Sequence, residues 1–162
     1  MVRRIFSSYL AAALILCPAI LYGQSNEKDK YQKWLNEDVA YIITPYEKQK
    51  FLELKTDEER EQYIVAFWQR RDPDVDTEEN EYRDEHYERV AHTNENYAFE
   101  GVAGWRTDRG RTYILYGEPH EMKKTKSGEI WRYRYIPGVG AGIEFEFIDM
   151  SGKGDLRLME QP

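Results

Sequence analysis

The 162-residue chain has a single cysteine, Cys17, and it falls inside the longest apolar run, Ile5 to Tyr22. A chain trimmed of that run holds no thiol, which excludes disulfides, thiol catalysis and thiolate metal sites. Histidine is scarce as well: His86, His92 and His120 are the three. His86 and His92 stand six apart, about 240° around a helix, so they cannot share a ligand face. Glu85, Glu88 and His92 do fall on one stripe, but sequence places no further histidine beside them, and no metal is expected. His120 follows Pro119 and reads as a solvated loop residue. No serine sits in a nucleophile-elbow context, so no catalytic residue and no cofactor is assigned. Positive charge is short too, with 23 Lys and Arg against 30 Asp and Glu, a net charge of −7. Losing Arg3 and Arg4 would take it to −9. That balance repels phosphates and argues against a nucleic-acid partner.

What is present starts with Arg3 and Arg4 ahead of the apolar run, then Gly23 before the polar Gln24-Ser25-Asn26-Glu27. This is the layout of a secretory signal peptide over residues 1–23, with cleavage after Gly23. The rival is an uncleaved anchor, because the run is nearly long enough to span a bilayer. Pro18 and Gly23 favour cleavage, and Leu14-Ile15-Leu16 replace the small residues that a lipidated Cys17 would want before it. The expected location is extracytoplasmic, periplasmic or secreted, with membrane contact only through a retained signal segment. Residues 24–30 read as the flexible start of the mature chain and 31–160 as one domain.

The first half of that domain has helical period. Tyr31, Trp34 and Leu35 suggest a short helix within Asp29 to Ile43 that ends as a β-like run. Thr44-Pro45-Tyr46-Glu47 combines an N-cap, a proline at the first helical position and a capping-box glutamate, which predicts a helix from Pro45 to Leu54. Thr56-Asp57-Glu58-Glu59 repeats the device, and Tyr63, Ile64, Phe67 and Trp68 form one wide face that stops before Pro73. Asp72, Asp74 and Asp76 alternate as calcium ligands do, but the glycine and closing glutamate of an EF-hand are missing, so a solvated acidic turn is expected. Thr77 is taken as the cap of a third helix, Glu78 to Tyr97, with Tyr87, Val90, Ala91, Asn94 and Tyr97 inward. Asn94 either bonds the turn around Thr107 and Asp108 or sits at a frayed helix edge.

The second half alternates as strands do. Asp108-Arg109-Gly110 reads as a turn, and Thr112 to Tyr116 as a strand halted at Gly117-Glu118-Pro119. Ile130 to Ile136 and Ile143 to Ile148 read as a hairpin through Pro137 to Gly142. Setting Arg134 opposite Glu144 and Arg132 opposite Glu146 stacks Tyr133 on Phe145 and pairs charges on the other side. Arg132 and Arg134 could instead hold an anion, but the glutamates neutralise them. Leu156 to Leu158 adds a last short strand. Gly152 and Gly154 lie two apart as in a phosphate loop, yet a strand follows, without the anion-binding helix N-terminus. The fold class is α+β: capped N-terminal helices, then a four-stranded antiparallel meander, in two layers with the third helix on the sheet.

Gly104-Trp105-Arg106-Thr107-Asp108, together with Phe67-Trp68-Gln69-Arg70-Arg71-Asp72-Pro73, Thr77 and Asn80-Glu81, resembles the bacterial GWxTD domain family over roughly residues 31 to 160. The resemblance implies an exported protein and carries no assigned activity. Three functions compete. The first is a non-catalytic module binding a protein or an envelope component, motivated by export, by 13 tyrosines and by the missing nucleophile. The second is a hydrolase-type enzyme using Asp108 with Arg109 or Arg111. The third is a carbohydrate-binding module stacking sugars on Trp105 and Trp131. Candidate binding residues are Asn94, Trp105, Thr107, Asp108, Arg109 and Arg111, with Trp105 as a structural anchor and Asp108 clasping the turn.

Overall fold

The structure, a computed structural model, describes residues 30–159. The expected signal peptide lies outside the described residues, as does the start of the mature chain up to residue 29.

Helical residues 30–33 pass into a π-helical segment, Trp34–Asp38, and then into turns, so the β-like run expected near Ile43 does not form. Helix α1, Pro45–Glu53, and helix α2, Asp57–Gln69, both start with a capping box. The Thr44 hydroxyl accepts the Glu47 N–H at 3.2 Å and the Glu47 carboxylate accepts the Thr44 N–H at 3.0 Å, which satisfies two otherwise orphaned donors. Thr56 and Glu59 do the same for α2. The π segment and the two helices close over Trp34, Leu35, Val39, Phe51, Phe67 and Trp68, the first hydrophobic core. Trp34 and Phe67 meet edge on, 5.2 Å apart at 83°.

Helix α3, Glu81–Asn96, is capped by Asn80 and not by Thr77. Asn80 Oδ1 accepts the Arg83 N–H at 2.8 Å while its Nδ2 donates to the Trp68 carbonyl at 2.9 Å. The cap thereby ties α3 to the end of α2. The Thr77 hydroxyl serves the loop instead, against the carbonyls of Asp74 and Glu79. The buried residues of α3 are His86 and Thr93, with Tyr97 at its C-cap, whereas Tyr87, Ala91 and Asn94 are exposed. The helix is turned by about one residue, roughly 100°, from the expected face. The chain at Gly104 crosses the backbone of Thr93, whose fully buried hydroxyl donates to the Val90 carbonyl at 2.8 Å.

A 3₁₀ turn, Gly104–Arg106, leads into helix α4, Asp108–Tyr116. This corrects the expected turn at Asp108 to Gly110 and the expected strand from Thr112. The pattern misleads for a physical reason: α4 is covered on two sides. Gly110 meets Gly104 and the Ile114 carbonyl accepts from Arg89 on one side, while Tyr113 and Tyr116 face the sheet on the other, which imitates alternation. Gly117 ends the helix, as it was expected to end a strand, at φ +77 with its N–H on the Tyr113 carbonyl at 2.7 Å.

The sheet is an antiparallel meander in the order β1 (Glu121–Lys124), β2 (Gly128–Ile136), β3 (Gly140–Asp149), β4 (Leu156–Leu158). The four-stranded count holds, with Glu121–Lys124 in the place given to Thr112 to Tyr116. Arg132 faces Glu144, Trp131 faces Phe145 and Tyr133 faces Ile143, so the parity is as expected and the register is two residues away. The connection is shorter than read: Ile136 already pairs Gly140 through a tight turn, so β3 begins before Ile143. Gly128 pins the other end, since a Cβ there would lie 1.9 Å from the Phe147 carbonyl oxygen. Tyr97, Trp131, Tyr133, Ile136 and Phe147 form the second core. The helix that lies on the sheet is α4, with Tyr116 stacked on Phe145 at 5.4 Å; α3 reaches it through Tyr97, 5.5 Å from Trp131.

Candidate functional site

Gly104 makes the closest backbone approach between α3 and the 3₁₀ turn. A Cβ on it would sit 1.8 Å from the Thr93 carbonyl oxygen, and one on Gly110 would sit 1.9 Å from the Gly104 carbonyl oxygen. Three backbones therefore cross where only glycines fit. The Thr107 hydroxyl donates to the Gly104 carbonyl at 2.8 Å and accepts the Gly110 N–H at 3.0 Å, capping α4 and closing the 3₁₀ turn with one atom.

Trp105 is half-buried. Its N–H donates to Asn94 Oδ1 at 3.2 Å, its carbonyl accepts the Tyr41 hydroxyl at 3.0 Å, and its ring meets Tyr41 edge on at 6.0 Å. Of the two readings of Asn94, the structure places it as an acceptor for this corner, from an exposed position. Tyr41 was not singled out by sequence, because it lies 64 residues from its partner.

The Asp108 carboxylate accepts the Leu158 N–H at 2.9 Å. Met159 directs its own N–H to Glu146 on β3, so the Leu158 N–H points away from the sheet edge, where Asp108 takes it. The clasp is thus to β4 and not to Asp108's own turn. Replacing Asp108 by alanine should cost about 1 kcal/mol and speed amide exchange at Leu158, while Asp108→Asn, which keeps an acceptor, should lose less. Equal exchange at Leu158 in all three proteins would remove the clasp.

Arg109 turns into the second core, 4.9 Å over the Tyr97 ring and 3.3 Å from Glu129, with its Nε buried and lacking a hydrogen-bond partner. Burial pushes the Tyr97 hydroxyl up to about 12. Arg111 goes the other way and lies 5.6 Å over the Tyr41 ring. Asp108, Arg109 and Arg111 thus take three different partners, the Leu158 N–H, Glu129 and the Tyr41 ring. Trp131 has no exposed surface, so its ring is not a stacking platform.

A second corner joins α1 to α2. Arg71 bonds Glu47 bidentately at 2.8 and 3.0 Å, donates to the carbonyls of Phe67 and Ile42, and stacks 3.6 Å over the Phe67 ring. Arg70 adds a bond to the same carboxylate at 3.2 Å. Burial pushes the Glu47 carboxyl up, but Arg71, the Thr44 N–H and Arg70 outweigh it and bring it down to about 2.

A family model, the GWxTD domain, matches residues 22–155. The chain belongs to that family. No curated protein and no solved structure matches it. The residues of the GWxTD signature are the Gly104 corner, and each of Gly104, Trp105, Thr107 and Asp108 holds one element to another.

The GWxTD domain also has an open cleft away from that corner. A cleft of about 690 Å³ opens between the C-terminal half of α2 and the start of α3, with Trp68 as its floor, Ile64, Val65 and Tyr87 as walls and Val75 at the rim. His86 supports that floor from behind. Its Nε2 bonds the Asp38 carbonyl at 2.6 Å, its ring lies 5.5 Å from Trp68, and burial lowers its affinity for a proton despite that carbonyl. Among the described residues no cluster of three or more His, Cys, Asp and Glu is placed to hold a metal, and no helix is long and apolar enough to cross a membrane. His120 is exposed, its Nδ1 accepting the Arg134 N–H at 3.4 Å. The sequence carried one signal for the cleft: Phe67-Trp68 beside Asp72-Pro73 and Asn80.

Proposed function

We propose that the protein is an exported, non-catalytic binding module that recognises another protein or an envelope component through the aromatic cleft between α2 and α3. One contrast carries the reading. The signature side chains bond inward, to backbone or to neighbouring rings, whereas Val65, Val75 and Tyr87 stand 53%, 77% and 37% exposed around a ready-made cleft. A cleft with an aromatic floor and apolar walls is where a partner's anchor residue gains most on binding. Export rests on Arg3, Arg4, the apolar run and Gly23, which favour a cleaved signal.

Two measurements test this. Terminal sequencing of the protein from its own cells should find Gln24 first. A photo-crosslinker at Val75 should capture a partner in the intact envelope, and one at Val139, on the far hairpin, should not. Equal capture at both positions, or none at either, would remove the cleft from the function.

A further inference from the structure

The cleft has a sign. Asp72 and Glu78 line it, and Asp74, Asp76, Glu79 and Glu81 follow on the loop and first helical turn beside it. Arg83 is the cation among the described lining residues, and it is neutralised by Asp84 at 2.8 Å. The nearby Arg70 and Arg71 both bond Glu47. An apolar floor is therefore ringed by carboxylates that outnumber the local cations, since Arg70 and Arg71 share Glu47 and Arg83 pairs with Asp84.

The rim is also preformed. Asp72 accepts the Asp74 N–H and Asp74 accepts the Asp76 N–H, each at 3.1 Å, and the Thr77 hydroxyl bonds the carbonyls on either side of it. Asn80 anchors the loop's end to the Trp68 carbonyl. Little ordering is left to a partner, so contacts made there go to affinity.

We infer that the cleft receives a segment of a second protein in which an apolar side chain is flanked by lysines or arginines. The apolar residue seats on Trp68 between Val65 and Tyr87. The flanking cations meet Asp72, Glu78 and the loop aspartates, and Tyr87 offers its ring face to one of them. An anionic membrane surface is disfavoured by the same carboxylates. The inference rests on the binding-module reading and adds the chemistry of the partner.

The test uses the full chain and two fluorescein-labelled helical peptides, one with leucines flanked by lysines and one with glutamates in place of the lysines. Fluorescence anisotropy should show the lysine peptide binding at least about tenfold tighter. Raising salt from about 50 to 500 mM should weaken it severalfold. Val75→Glu and Val65→Glu, both exposed, should abolish binding, and Asp72→Asn with Glu78→Gln should remove most of the charge preference while circular dichroism is unchanged. Val139→Glu should bind as the wild type does. Equal binding of the two peptides, binding of neither, loss in Val139→Glu, or tighter binding to phosphatidylglycerol vesicles than to the lysine peptide overturns the inference. If Val75 captures a partner in the envelope and the captured segment is neutral or acidic, the charge inference fails while the module reading stands.

Discussion

Gly104→Ala is expected to destabilise the protein by about 3 kcal/mol or more, the largest effect of any single methyl group in the corner. Gly104 is not at positive φ, so alanine meets no dihedral penalty there; the cost is the backbone of Thr93, 1.8 Å from the new Cβ. A carbonyl group cannot rotate aside as a side chain would, so α3 and the 3₁₀ turn must part. Parting them stretches the Trp105 N–H from Asn94 and shifts the Thr107 cap, and through Asp108 it disturbs β4. The control is Gly101→Ala. Gly101 has φ +82 and nothing within 4 Å, so alanine there should cost only about 1–2 kcal/mol of backbone strain. Urea melts of the two variants decide the matter, and a Gly104→Ala protein no weaker than Gly101→Ala would refute the close-packed corner.

Glu47→Gln should cost about 3 kcal/mol at neutral pH and remove an acid transition. The carboxamide keeps one oxygen for the Thr44 N–H but cannot accept Arg71 bidentately, and Arg71 is left over Phe67 without its counter-charge. The sign of the pH effect follows from the depressed Glu47 value, about 2 against an ordinary 4.5. Its stabilisation is fully present above pH 4.5 and is lost as pH falls through 2. At about 1.4 kcal/mol per unit, that window holds about 3 kcal/mol. Wild-type stability should therefore drop across it more steeply than that of Glu47→Gln, and parallel profiles would show that the carboxylate contributes little.

The elements legible in the sequence were those set by neighbours within four residues. Thr44 with Glu47 and Thr56 with Glu59 announced α1 and α2, because both halves of a capping box lie in one turn. The alternation of Trp131 and Tyr133 announced β2 and its inward face, because a sheet covered on one side has period two; Tyr135, expected beside them, is exposed, and Ile136 is buried in its place. Where the environment has two sides, the same reasoning failed. Helix α4 buries Gly110, Thr112 and Ile114, which reads as a strand, since α3 covers one flank and the sheet the other. The Asn80 cap was passed over for Thr77 because the atom that selects it, the Trp68 carbonyl, is 12 residues away.

The candidate site divides along the same line. Trp105, Thr107, Asp108 and Asn94 were legible as a cluster, and Thr107 even as a local bonding residue, but their partners Tyr41 and Leu158 lie 64 and 50 residues off. The cleft was not legible as a cleft, because its walls come from two helices and the loop between them.

By itself, then, the sequence determined the single cysteine inside the apolar run, the acidic balance, the capped helices, the parity of the hairpin and the family. The tertiary structure alone decided that Asp108 caps a strand edge, that Arg109 and Arg111 diverge, and that Trp68 floors an acidic-rimmed cleft. Local backbone bonding and side-chain period are written within a few residues. A carboxylate's partner or a ring's exposure depends on which distant backbone is brought against it.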